Sequence, residues 1–133
     1  MNLNYKKLCK IQEKIYKLSH AKSVLNWDQA TMMSLRGNAE RSKSIAEIST
    51  MIHELSTQKK IAKLISGSEK EDLNEFEISN LKEIKRDWLR KKIVPRKLVK
   101  KKQIAESMCE HEWRSQRKNN DWKGFLANFS NVV

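Results

Sequence analysis

The chain has 133 residues, 38% of them apolar and 33% charged, and its formal net charge is +12. This length suits one domain, and the sequence contains neither the ~18-residue apolar run of a membrane helix nor a signal peptide. Because Cys9 and Cys109 are too few and too far apart for a disulfide framework, we expect a soluble cytoplasmic protein with no membrane partner.

Turn signals are scarce, since the chain has three glycines and one proline, and no segment shows the alternation of a strand. The sequence therefore predicts an all-α fold, an irregular bundle of about five to six helices in a single segment, residues 1–133. The predicted helices span about 4–28, 38–56, 58–66, 75–92, 95–118 and 121–133.

The first predicted helix has two apolar sides. One is a seam that includes Leu8, Ile15 and Leu25 at helical spacing. The opposite side carries a second stripe: Tyr16, His20, Val24 and Trp27. A helix that is apolar on two sides should be covered on both, so we expect its C-terminal half to lie inside a larger body.

The stretch from Val24 to Arg41 joins the first two predicted helices. Within the complete protein we expect Trp27 to be a core aromatic, because large aromatic side chains dominate buried contacts. Asp28 would lie at a helix C-terminus, where the helix dipole disfavours a carboxylate. It should therefore have a compensating partner, either Arg41 or Arg36.

Local signals predict how several helices begin and end. Asn74 and Glu77 resemble a capping box at the start of the fourth helix, and the polar stretch from Ser66 to Asp72 is predicted as a loop. Four further residues are assigned to helix ends: Asn38 and Thr57 as N-caps of the second and third helices, Gly67 as the end of the third, and Pro95 as the first residue of the fifth.

Most of the positive charge lies in residues 82–102, which hold eleven Lys and Arg residues against Glu83 and Asp87. Such a run usually forms a solvated helix face. Nucleic-acid binding is the less favoured interpretation, because Trp88 is the only aromatic side chain there for stacking on bases.

The last predicted helix has no stop signal. Its apolar spacing continues through Trp122, Phe125 and Phe129 to Val132 and Val133, without the glycine or basic turn that usually closes a helix. We therefore expect the sequence to be truncated at its C-terminus.

No catalytic or metal-binding residue is predicted. The His111-Glu112 pair begins like the zinc motif His-Glu-x-x-His, but the position of the second histidine is Ser115. His20 and His53 are interpreted as packed or surface residues.

The residues from Val24 to Gln29, reading Val-Leu-Asn-Trp-Asp-Gln, carry a family resemblance together with Gly37 and Arg41. The sequence resembles the start of the carboxypeptidase Taq family of metallocarboxypeptidases, and the likeness continues to the end of the chain. Ser34 departs from the family, in which a proline usually follows the methionine. The residues assigned to the family signature, with structural roles, are Trp27, Asp28, Gln29, Arg41, Pro95 and Trp113.

The resemblance implies an almost entirely helical enzyme that removes C-terminal amino acids from peptides with a divalent metal, typically zinc. In that family a His-Glu-x-x-His helix and a later glutamate bind the metal, and nothing in this chain corresponds to them. The chain is therefore expected to bind no cofactor and to be inactive alone. It resembles the N-terminal helices that form one wall of the substrate cleft.

The partners implied are the downstream catalytic region or a complementary chain, with peptide substrate bound only in the complete enzyme. Assembly into a homo-oligomer is a further alternative. A free-standing helical interaction domain remains an alternative, as does a basic helical nucleic-acid binder. An interaction domain should have a closed surface, whereas a cleft-wall segment should expose a contiguous apolar patch.

Overall fold

The computed structural model describes residues 2–133, and every helix expected from the sequence has a counterpart in it. The α-helices are α1 (Leu3–Thr31), α2 (Asn38–Thr57), α3 (Lys59–Ser68), α4 (Glu75–Lys92), α5 (Arg96–Lys118) and α6 (Trp122–Ser130). A short 3-10 turn, Leu35–Gly37, lies between α1 and α2. The all-α prediction is confirmed, and the observed ends differ from the expected ones by at most three residues.

Helix α2 lies at the centre of the bundle, where it packs against α5, α1 and, less extensively, α4. The hydroxyls of Ser49 and Thr50 are buried there and donate to carbonyl oxygens one turn earlier, at 2.7 and 2.8 Å. These bonds satisfy the buried hydroxyls within the helix. Helix α5 also buries small residues, Ser107 and Cys109. Small side chains on both helices allow their backbones to come close.

The main apolar core joins the N-terminal half of α1 to α3 and α4. Leu8 and Ile61 are fully buried within it, and Trp88 packs against its edge. Burial of a leucine or isoleucine side chain contributes about 1.5–3 kcal/mol, so this cluster is the main apolar stabilisation of the bundle. Its buried members are Tyr5, Leu8, Ile61, Ile65, Leu81 and Ile84.

The segment between α3 and α4 closes the N-terminus of α1. The Glu71 carboxylate accepts hydrogen bonds from the backbone N–H groups of Asn4 and Tyr5, at 2.7 and 3.0 Å, and from the Asn4 amide at 2.9 Å. A Cβ on Gly67 would lie 2.8 Å from the Asn4 side chain, so glycine permits this close approach. An anion at this position also suits the positive end of the helix dipole.

The structure confirms one predicted cap and corrects four other assignments. Asn74 and Glu77 form the capping box at the start of α4, with both hydrogen bonds 3.0 Å long. Asn38 is instead the first residue of α2, and the Thr57 hydroxyl donates to a carbonyl in the last turn of the same helix. Helix α3 does not end at Gly67 but continues to Ser68, into the predicted loop. Gly67 instead leaves room for the Asn4 side chain of α1. Pro95 lies one residue outside α5, as its N-cap.

The expectation that α1 is covered on both sides is wrong for the described residues. Tyr16, Val24 and Trp27 are 70%, 52% and 62% exposed, and His20 between them is exposed as well. Among residues 2–133, more large apolar side chains are exposed than buried. No helix in this part of the chain is long and apolar enough to cross a membrane.

Helix α6 packs mainly on α5 and buries none of its own side chains among the described residues. It follows a tight corner in which Asn120 has a φ of 52°, a left-handed conformation that asparagine tolerates. Asp121 then caps α6 by accepting from the Gly124 N–H at 2.9 Å. The rings of Phe125 and Phe129 stack with their centroids 5.7 Å apart.

Candidate functional site

Several side-chain hydrogen bonds hold the corner between α1 and α2. Arg41, in the first turns of α2, forms an ion pair with Asp28 and also donates to the Leu25 carbonyl at 3.3 Å. The side chains of Arg41 and Asp28 are 24% and 33% exposed, so the pair is only partly screened by water. The predicted partner of Asp28 is therefore present, and it is Arg41, with Arg36 exposed in the turn.

Gln29 links the corner to α5. Its side chain is 5% exposed and its amide donates to Asn38 Oδ1 at 3.3 Å and to Glu110 Oε2 at 3.5 Å. The backbone carbonyl of Gln29 accepts a hydrogen bond from the Arg114 guanidinium at 2.7 Å. Arg114 also forms an ion pair with Glu110 at 2.6 Å. One residue of α1 thus holds both α2 and α5, which explains why a glutamine occupies this buried position.

The sequence reasoning missed Glu110 and Arg114. The available signal was the i,i+4 spacing of Glu110 and Arg114, which favours an ion pair on one helix face. Nothing local indicated that this pair would meet Gln29, more than eighty residues earlier.

Trp27 lies next to this network but outside it. Trp27 is 62% exposed within this chain, and its core position in the complete protein stays a prediction. Residues two apart on a helix point in different directions, so the burial of Gln29 turns Trp27 towards solvent. The backbone around it is held firmly, and the Thr31 hydroxyl donates to the Trp27 carbonyl at 2.7 Å.

A groove of about 240 Å³ runs beside the corner between α1 and α5. Lys22 lies near Glu106, which lines the groove. The pKa of Lys22 is lowered, mainly by burial; the Glu106 carboxylate acts to raise this pKa, and Lys102 lowers it further. Seven residues line the groove, and none is a histidine that could activate the Ser107 hydroxyl: Asn26, Gln29, Ala30, Gln103, Glu106, Ser107 and Glu110. This lining does not indicate catalysis.

Pro95 and Trp113 lie away from the corner. Pro95 precedes α5, and its carbonyl accepts from Leu98 and Val99 at 2.9 and 3.2 Å. Trp113 lies near the other end of α5, with the Arg117 guanidinium 5.2 Å from its ring. It lines a cavity of about 270 Å³ between α5 and α6. The structure therefore brings together Asp28, Gln29 and Arg41 but not all six assigned residues.

The donor set of this chain does not fit a metal ion. Within residues 2–133, no group of three His, Cys, Asp or Glu side chains converges. Ser115, which stands at the position of the second histidine of a zinc motif, donates its hydroxyl to the Glu112 carbonyl at 3.0 Å. A serine there supplies no imidazole ligand.

The basic run, residues 82–102, is partly neutralised by carboxylates. Five of its eleven cations form ion pairs in the structure, three of them with acids of α2 or with Glu69 just after α3. Lys92 lies over the Trp88 ring, 4.3 Å from its centroid. The single aromatic of the run is thus engaged by a lysine of its own helix.

Comparison by sequence matches nearly the whole chain to one family. Residues 7–133 match the family model described as carboxypeptidase Taq (M32) metallopeptidase. Two curated relatives, each named thermostable carboxypeptidase 1, are 26% identical to the chain: that of Thermus thermophilus over 132 residues and that of Pyrococcus furiosus over 125. The alignments cover 96% and 93% of the chain but 26% and 25% of the relatives' own lengths.

Comparison by structure agrees. Metallocarboxypeptidase 1 of Trypanosoma cruzi superposes with a TM-score of 0.75 and 31% sequence identity, covering 96% of the chain and 26% of the solved chain. The chain therefore spans about a quarter of the length of the relatives that it matches. It belongs to the carboxypeptidase Taq (M32) family of metallopeptidases.

Proposed function

We propose that this chain is the N-terminal cleft-wall segment of a metal-dependent carboxypeptidase that removes C-terminal amino acids from peptides, and that it is not catalytic alone. The observation that carries the proposal is the extent of the match. Residues 7–133 fit the family model, and the same helical arrangement makes up 26% of a solved metallocarboxypeptidase.

The exposed apolar surface supports this proposal over a free-standing interaction domain. Tyr16, Val24 and Trp27 are more than half exposed although they share one face of a long, well-anchored helix. Monomeric proteins rarely expose contiguous apolar patches beyond a few hundred Å². A wall segment, by contrast, needs such a face to meet the rest of the enzyme.

The metal and the catalytic groups would come from the part of the enzyme that this chain does not match. The three histidines, His20, His53 and His111, lie on three different helices. The chain's own contribution is mechanical: the network of Asp28, Arg41 and Gln29 fixes the angle between the first two helices.

The test compares the chain alone with a chimera. In the chimera this chain replaces the matched N-terminal region of the Thermus thermophilus relative. We expect the chimera to release C-terminal residues from peptides and to lose this activity with a chelator, and we expect the chain alone to release none. Turnover by the isolated chain that a chelator abolishes would contradict the proposal, as would a folded chimera without activity.

A further inference from the structure

One face of α1 exposes three large apolar side chains, Tyr16, Val24 and Trp27. Tyr16, His20, Val24 and Trp27 follow one another at steps of four, four and three residues, so they form a single line along the helix, which we call the α1 ridge. The Glu13–Lys17 ion pair, which is well exposed, marks its N-terminal limit. Towards the N-terminus the outward residues of α1 are charged, as at Lys6.

The α1 ridge is held in place from behind. Asp28 and Gln29 directly follow Trp27, and they bond to α2 and α5 through Arg41 and Arg114. A surface fixed in this way loses little conformational entropy when it is covered, which favours binding. Tyrosine and tryptophan are also the side chains that most often dominate protein interfaces.

The lengths of the relatives suggest a partner for the α1 ridge. The same fold occurs in the Trypanosoma cruzi structure as 26% of a longer chain, and the curated relatives show the same proportion. A segment of this shape is therefore accompanied, in each relative, by about three times its own length of polypeptide. The basic run is a weaker candidate surface, because five of its cations are already paired.

We propose that the α1 ridge docks against the catalytic region of a Taq-type carboxypeptidase, the part of the enzyme that this chain does not match. The proposal rests on the proposed function, because it names the partner of the same segment. The proposed partner is neither a second copy of this chain nor an unrelated protein.

The experiment measures whether residue 24 is accessible to a thiol reagent. A Val24→Cys variant is made with Cys9→Ala and Cys109→Ala, both in the 133-residue chain and in the Thermus thermophilus chimera. We expect maleimide labelling of Val24→Cys to be roughly tenfold slower or more in the chimera, because an interface core excludes water. Lys6→Cys in the same background is the matched control, since it lies on the outward side of the same helix but off the ridge.

Similar labelling rates for Val24→Cys in the two proteins would overturn the proposal, and so would equal protection of Lys6→Cys. If the chimera fails to fold, the four ridge residues are replaced by the Thermus thermophilus residues at the aligned positions. Restored folding supports docking through the ridge, and continued misfolding counts against it. Slower labelling only at high concentration of the isolated chain would indicate a second copy and would also overturn the proposal.

These outcomes separate docking from activity. A chimera that is protected at Val24→Cys but inactive would contradict the proposed function and leave the docking surface intact. A chimera that is active while Val24→Cys reacts freely would contradict docking through the α1 ridge and leave the proposed function intact.

Discussion

The two halves of α1 are stabilised in different ways. The N-terminal half inserts Tyr5, Leu8 and Ile15 into buried positions, and two of these join the core shared with α3 and α4. In the C-terminal half only Gln29 is buried, and polar contacts to α2 and α5 hold it. The first half buries apolar side chains within this chain, whereas the second half is fixed by polar contacts and leaves the α1 ridge exposed.

This difference shows that exposure of an apolar face need not mean a loose structure. Apolar burial is non-directional, so the core would hold α1 over a range of angles. The ion pair of Asp28 with Arg41 and the hydrogen bonds of Gln29 are directional, so they select one angle. The helix can therefore present Tyr16 and Trp27 at a defined position without covering them.

The largest effect is expected from breaking the N-terminal half. Leu8→Ala removes a fully buried side chain from the core and should lower the free energy of unfolding by about 2–5 kcal/mol. Urea denaturation followed by circular dichroism measures this loss. Val24→Ala is the matched control, because Val24 is 52% exposed on the same helix and should change stability by no more than about 0.5 kcal/mol. Equal losses for the two variants would remove the distinction between the halves.

A smaller effect is expected from breaking the polar corner. Arg41→Ala leaves Asp28 without its cation near the C-terminus of α1. It should cost about 1–2 kcal/mol, less than the roughly 1.5–3 kcal/mol of a fully buried hydrogen bond to a charged group, because water partly screens the pair. Arg86→Ala removes a cation from an exposed ion pair and should cost at most about 0.5 kcal/mol.

A double-mutant cycle with Asp28→Asn then isolates the pairwise term for Arg41. We expect a coupling of about 1 kcal/mol between the two positions, because the residues are in direct contact. Additive losses would show that the pair does not fix the corner.

The sequence predicted what depends on local patterns. All six helices follow from apolar periodicity, and the capping box of Asn74 and Glu77 follows from two residues three apart. The Asp28–Arg41 pair was also within reach, because a carboxylate in the last turns of a helix calls for a nearby cation. The partners in these contacts are close in sequence: Asp28 and Arg41 are 13 residues apart, and Asn74 and Glu77 are 3 apart.

What the sequence could not predict depends on distant partners. Asn38 is not an N-cap, because its side-chain oxygen accepts from Gln29 across the corner. The second anchor of Gln29, on α5, is invisible until the helices are placed. Tryptophan is a residue type that is often buried, but periodicity cannot tell which side of α1 the rest of this chain covers, and Trp27 is 62% exposed.

The smallest effect concerns the other end of α1 and appears only in acid. Burial acts to raise the pKa of Glu71, but hydrogen bonds from the backbone and side chain of Asn4 and from the Tyr5 N–H together lower it below the ordinary 4.5. The unfolded chain keeps the ordinary pKa, so between the two values it binds more protons than the folded chain. The free energy of unfolding should therefore fall as the pH drops from 4.5 through the lower folded value.

Glu71→Gln should be less stable than the wild type at pH 7, and this deficit should close in acid. Urea midpoints measured across the acid range test this, and a variant that keeps the full wild-type slope would show that Glu71 does not cap α1.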